Sequence, residues 1–167
     1  MVIALSVLAW QARLSRREAG SKEIIRPKSV PAERLELLAR FDPPAALERN
    51  GSLQLQRALE KYRVGDFPGA ISGLQALLQT RPDEVAAHFY LGVSLLLSKN
   101  SSGGLEELRA VISAGSSPYR ERAQYYLAKG LLGAGDVSGA EQQLQQVQSV
   151  HGDLERQAAS LLQQMKP

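Results

Sequence analysis

The sequence predicts an all-α solenoid of three helix-turn-helix units, closed by a C-terminal capping helix. Three observations carry that expectation. Two glycine–aspartate turns, Gly65-Asp66 and Gly135-Asp136, are each followed by an alanine (Ala70, Ala140) and then a leucine (Leu74, Leu144). Midway between them Leu91-Gly92 opens a similar pattern with Leu95 and Leu108. Beyond the last unit, Leu154, Ala158, Leu161 and Leu162 recur at helical spacing, as one amphipathic helix requires.

Composition bounds the rest. The chain has 167 residues, 44% of them apolar and 5% aromatic, enough for one domain or a short array. It has no cysteine, which removes disulfides, thiolate metal sites and cysteine nucleophiles together. The formal charge of +3 is unevenly spread. Residues 1–28 carry Arg13, Arg16, Arg17, Lys22, Arg26 and Lys28 against Glu18 and Glu23, leaving the remainder close to neutral. A nucleic-acid binder concentrates positive charge on its folded face. The basic character here belongs to a leader.

That leader, residues 1–19, opens with an apolar stretch containing Val2, Ile3, Leu5, Leu8 and Trp10, followed by Arg13, Arg16 and Arg17. A helix over the uncharged Met1–Ala12 would be about 18 Å long, against about 30 Å of hydrocarbon. It is too short to span alone, and a signal peptide places its charge before the apolar run, not after. The segment reads as the distal half of a transmembrane helix, with Trp10 and the arginines as interface anchors. An interfacial amphipathic anchor and an N-terminal helix without a membrane role are the alternatives. Residues 20–50 read as a tether interrupted by Pro27, Pro31, Pro43 and Pro44. Within it Ala32–Arg40 suits two to three helical turns that dock on the C-terminal array.

From residue 51 the chain divides into units at about 51–84, 85–120 and 121–152, with a cap at 153–165. In the first, Ala58, Tyr62, Gly65, Asp66, Phe67, Ala70, Leu74, Leu77 and Pro82 resemble the tetratricopeptide repeat, whose period is about 34 residues. The second matches through Leu91, Gly92, Leu95, Leu108 and Val111, the third through Leu127, Ala128, Leu131, Gly135, Asp136, Ala140, Leu144 and Val147. Small residues in both helices of each unit (Ala58 and Ala70, Gly92 and Gly104, Ala128 and Ala140) allow close backbone approach. Two departures stand out. Gln54 and Arg57 give the first helix an outer character, and Lys99–Gly104 replaces a regular turn, which should weaken the second unit. The resemblance implies a right-handed superhelix. More narrowly, the apolar leader, Phe41–Pro44, Arg63–Phe67, Ser117–Tyr119 and Tyr126–Lys129 are similar to tetratricopeptide ectodomains of bacterial membrane proteins with an anti-sigma-like zinc-finger module. That likeness implies a bacterial inner membrane with the array outside the cytoplasm. The basic residues after the apolar leader favour the cytoplasmic side instead.

Nothing in the sequence assembles chemistry. There is no nucleophile elbow and no phosphate-binding loop. His88 and His151 lie far apart in sequence, and Glu106, Glu107 and Glu141 read as solvated helix faces. No enzyme activity, metal or cofactor is expected. The better candidate is a groove. The resembled family lines its concave surface from the first helix of each unit. Here those positions give Leu55, Leu59, Tyr62 and Arg63, then Phe89, Val93, Leu96 and Leu97, then Arg122, Tyr125, Lys129 and Leu132. The strip suits an apolar or amphipathic partner segment, with Arg122 and Lys129 favouring an acidic flank. It lacks the lysine and asparagine of a carboxylate clamp. Two other outcomes are open: these residues pack between units, or residues 30–47 fold back and fill the strip. The function expected is protein–protein interaction, as scaffold or adaptor. Self-association and the sensor end of a transmembrane regulator are the alternatives.

Overall fold

The computed structural model describes residues 30–43, 45 and 51–166. The leader expected at 1–19 and most of the tether lie outside them. Among the described residues there are eight helices and no strand. In chain order they are α1 (Ala32–Ala39), α2 (Leu53–Arg63), α3 (Phe67–Thr80), α4 (Val85–Leu97), α5 (Ser101–Ser113), α6 (Arg120–Gly133), α7 (Val137–Val150) and α8 (Glu155–Met165). Each helix from α2 onward packs on its sequence neighbours, so α2/α3, α4/α5 and α6/α7 form three stacked hairpins and α8 covers the last. No helix among the described residues is long and apolar enough to cross a membrane.

The three hairpin turns are one structure built three times. Gly65 (φ 80°) and Gly135 (φ 81°) sit in the left-handed region that glycine enters without steric cost. The following amides of Asp66 and Asp136 reach back to the carbonyls of Lys61 and Leu131, each at 2.9 Å, closing the helix end in a Schellman pattern. The same aspartates then cap the next helix, Oδ1 accepting from Gly69 and Gly139 N–H at 2.9 Å. The second unit departs from the sequence expectation. Lys99 takes the left-handed conformation (φ 63°), Asn100 N–H reaches the Leu95 carbonyl at 2.9 Å, and the Asn100 side chain caps at Gly103. The turn is therefore retained rather than broken. Its cost is a lysine where glycine belongs, about 1 kcal/mol.

Small residues set how closely the hairpin helices cross. Ala58, Ala70, Ala128 and Ala140 are buried at their crossings. In the second unit both positions are glycine, and a Cβ added at Gly104 would lie 2.9 Å from the Gly92 carbonyl oxygen. At the N-terminal edge Gln54 and Arg57 are exposed, which fits the outer character of α2. At the other end Ala158, Leu161 and Met165 bury the apolar face of α8 against the array. The start of α8 has no capping side chain of its own. Glu121 of α6 supplies one from a distance, its Oε1 accepting from Leu154 N–H at 2.8 Å. A carboxylate at a helix N-terminus also meets the positive end of the helix dipole.

Helix α1 docks on this array. It packs on α6 and touches α8. Leu38 is buried, while Leu35, Ala39 and Phe41 pack partly buried against the core.

Candidate functional site

The first helices of the three units are α2, α4 and α6, and the strip read from the sequence lies on them. Its apolar members are interior. Leu59, Phe89 and Val93 are 0% exposed, and Leu55 and Tyr62 are 2% and 3% exposed. Leu97, Arg122 and Tyr125 are half-buried, and Arg63 is exposed. The structure therefore does not present Leu55, Leu59, Tyr62, Phe89 and Val93 to an incoming partner as an open strip. The reachable members are Arg63 at one end and Leu97, Arg122 and Tyr125 toward the other.

Aromatic packing accounts for much of this burial. Tyr62 meets Phe67 at 5.8 Å between ring centroids and Tyr90 at 5.3 Å. Phe89 meets Tyr90 and Tyr119 at 5.1 Å each, and Tyr126 at 6.0 Å. Tyr126 in turn meets Tyr125 at 5.6 Å and Phe41 at 5.1 Å. The chain's three Phe and five Tyr thus belong to one continuous path of ring contacts. It joins all three units and ends at Phe41, just beyond α1. Edge-on rings at these separations contribute beyond their buried area, about 0.5–1.5 kcal/mol per pair. Burial raises the phenol pKa of Tyr62 and Tyr125, and raises that of Tyr126 to about 12, where the neighbouring Tyr125 adds to the effect.

Lys129 differs most from its sequence reading. Its side chain is not a free charge awaiting an acidic flank. It is buried, 9% exposed, and Nζ donates to the carbonyls of Leu38 (2.6 Å) and Arg40 (3.0 Å) at the end of α1. It also stands 5.9 Å from the Tyr125 ring centroid, a cation–π distance. Desolvation lowers the Lys129 pKa. The site thus brings together Leu97, Tyr125, Tyr126 and Lys129, with α1 laid over part of it.

Two clefts border α6. One, about 640 Å³, lies between the end of α1 (Ala39, with Arg40 and Phe41 just beyond it) and Leu96, Leu97 and Gly133. The other, about 490 Å³, lies between α6 and α8, lined by Tyr125, Lys129, Arg156 and Gln157 among others. A cleft of about 670 Å³ sits among the inter-unit loops, Thr80–Ala86 and Ser116–Tyr119, where the sequence offered no candidate site residue. It shares no residue with the strip on α2, α4 and α6.

One further polar cluster lies in the second unit. His88 faces Glu107 Oε2 at 2.5 Å through Nδ1 and the Pro82 carbonyl at 2.7 Å through Nε2, tying α4 to α5 and to the preceding loop. Glu107 is thereby engaged rather than simply solvated. Among the described residues no group of three or more His, Asp or Glu is arranged to hold a metal ion. The aromatic path and the lysine–carbonyl contacts went unread in the sequence because they join residues distant in the chain. The local signals were the adjacent pairs Phe89-Tyr90 and Tyr125-Tyr126, the latter just before Lys129.

This architecture defines a tetratricopeptide-type helical solenoid. The tetratricopeptide repeat family model matches residues 55–121, from the first turn of α2 to the start of α6. Beyond the match, the turn at Gly135-Asp136 repeats the geometry of Gly65-Asp66, which makes α6/α7 a third unit of the same kind. Among solved structures, the type III secretion translocator chaperone SycD of Yersinia enterocolitica is similar, with a TM-score of 0.61 at 17% identity. The match covers 85% of this chain and 90% of that one. A chain of the CopN–Scc3 complex gives a TM-score of 0.58 at 18% identity, covering 92% of this chain and 96% of its own. At such identities the likeness is one of fold. No curated protein matches the sequence.

Proposed function

We propose that the chain is a non-catalytic protein-binding module that takes an amphipathic helical segment of a partner on the α4/α6 side of its array. The observation that carries this reading is α1 itself. A short amphipathic helix lies across α6, with apolar side chains inward and its terminal carbonyls on Lys129. Helix-in-groove recognition uses this arrangement of apolar anchors with a polar end contact. The names of the similar structures, a translocator chaperone and a two-protein complex, lend the reading support by analogy of fold.

The test is selection of random displayed peptides on the full chain. The expected ligands are amphipathic helices that lose binding with Leu97→Glu or Tyr125→Ala and keep it with Gln145→Ala, on the exposed face of α7. Ligands insensitive to Leu97 and Tyr125 would place the interaction on another surface.

Membrane attachment through residues 1–19 belongs to the same proposal. Its support is the apolar run Val2–Trp10 followed by Arg13, Arg16 and Arg17, a pattern suited to anionic headgroups. The full chain should float with phosphatidylglycerol-containing vesicles. Replacing the three arginines by glutamate should remove most of that flotation, and undiminished flotation would sink the headgroup role.

A further inference from the structure

Helix α1 meets the array chiefly where a partner would. Lys129, Tyr126, Gly133, Leu96 and Leu97 all belong to α4 and α6, first helices of their units, and all contact α1 or Phe41 or line the cleft beside them. The contact has three separable parts. Leu35, Leu38 and Ala39 supply the apolar face, and Phe41 supplies a ring that ends the aromatic path on Tyr126. The carbonyls of Leu38 and Arg40, which a helix end leaves without intrahelical partners, accept from a buried ammonium. A cation at a helix C-terminus also meets the negative end of the dipole.

The helix is equally marked by how little else holds it. It has eight residues, no side-chain cap at its N-terminus, and Leu37 stands 64% exposed on its outer face. A helix that short does not persist in water without a surface to dock on. Within the array, α2 to α8 each pack on their sequence neighbours.

We propose that α1 with Phe41 is a built-in occupant of the partner site. Its natural competitor is then an amphipathic helix of the same chemistry: two leucines and an alanine on one face, free terminal carbonyls for Lys129, and an aromatic residue just beyond. This rests on the partner-binding reading and adds to it what the partner looks like and what it must displace. A tethered segment acts at an effective concentration on the order of millimolar, so the resting chain is closed to weak ligands.

The structure offers a lock with which to test this. A Cβ built at Gly133 lies 3.5 Å from the Ala39 Cβ, within disulfide range, and the chain has no cysteine of its own. The probe is a fluorescein-labelled peptide of residues 30–43, offered to four forms of the full chain. These are the parent, an opened variant (Leu38→Ser with Phe41→Ser), and Ala39→Cys with Gly133→Cys, reduced and oxidised. The opened variant should bind the peptide on the order of tenfold tighter than the parent or more, and adding Lys129→Ala should reverse the gain. Oxidation should abolish the binding shown by the reduced form. If the folded opened variant binds no better than the parent, or oxidised and reduced forms bind alike, α1 is not the occupant. Should the opened variant fail to fold, the oxidised–reduced comparison decides alone.

The peptides selected by display separate this failure from failure of the wider reading. If they bind oxidised and reduced chains equally, the partner site is real and α1 does not cover it. If selection yields no peptide that binds any of the four forms, both readings fall.

Discussion

Phe89→Ala is expected to lower the unfolding free energy by about 3–5 kcal/mol. Phe89 is fully buried in α4 of the central unit, in ring contact with Tyr90, Tyr119 and Tyr126. Truncation removes a large apolar side chain, leaves a cavity, and cuts the aromatic path between the first unit and the third. Stability in a stacked array is close to a sum of unit and nearest-neighbour terms. A defect in the middle unit therefore weakens the interfaces on both sides. Domains are typically stable by only about 5–15 kcal/mol, so the loss is a large share of the whole. Urea unfolding followed by circular dichroism measures it, with Gln145→Ala as a surface control expected within about 0.5 kcal/mol of the parent. A lowered midpoint at unchanged slope is lost stability of one cooperative unit; a shallower slope means the array has come apart into separately melting pieces. A loss below about 1 kcal/mol would show that the central rings repack and that the path is incidental.

Gly104→Val is expected to cost about 3 kcal/mol, the upper end for overpacking. An ideal Cβ at this position falls 2.9 Å from the Gly92 carbonyl oxygen and 2.7 Å from the Leu96 side chain. The leucine end can move, but the carbonyl belongs to the middle of α4 and moves only with its helix. Valine is a better helix former than glycine by a few tenths of a kcal/mol, which offsets little of this. Gly133→Ala isolates that propensity term, because its Cβ would meet only the Ala39 Cβ at an ordinary 3.5 Å. Thermal melts of the pair should diverge: a clear fall for Gly104→Val, no loss for Gly133→Ala. Parallel behaviour would mean the α4/α5 crossing has more room than the geometry indicates.

Particular residues show what could be read in advance. Gly65, Asp66, Gly135 and Asp136 were legible because their roles are local. Positive φ and a side chain capping an amide three residues on are properties of one short segment. The small residues at 58, 70, 92, 104, 128 and 140 were legible as a pair in each unit, since close crossing of two adjacent helices needs them. Lys99 was misread for the complementary reason. Composition gave no sign that a lysine holds the left-handed position, which the rest of the turn imposes on it.

The strip read from the sequence falls on α2, α4 and α6, but the exposure of its members was not legible. Whether Phe89 or Leu59 faces solvent depends on rings and helices that arrive from elsewhere in the chain. Lys129 makes the same point more sharply. Charge alone suggested an acidic partner, whereas its contacts are two neutral carbonyls of α1. Glu107 looked like part of a solvated helix face, but it holds His88. Glu121 carried no local signal at all, and it caps α8 from more than thirty positions away.

By itself, then, the sequence determined the number of hairpins, the two glycine–aspartate turns, the capping helix and the absence of cysteine chemistry. These follow from periodicity, φ preference and composition, which act over a few residues at a time. Only the tertiary structure decided that the eight Phe and Tyr rings form one path and that the candidate face is partly covered by the chain's own α1. Burial and long-range pairing depend on which distant surfaces meet, and that is fixed only when all the helices have packed.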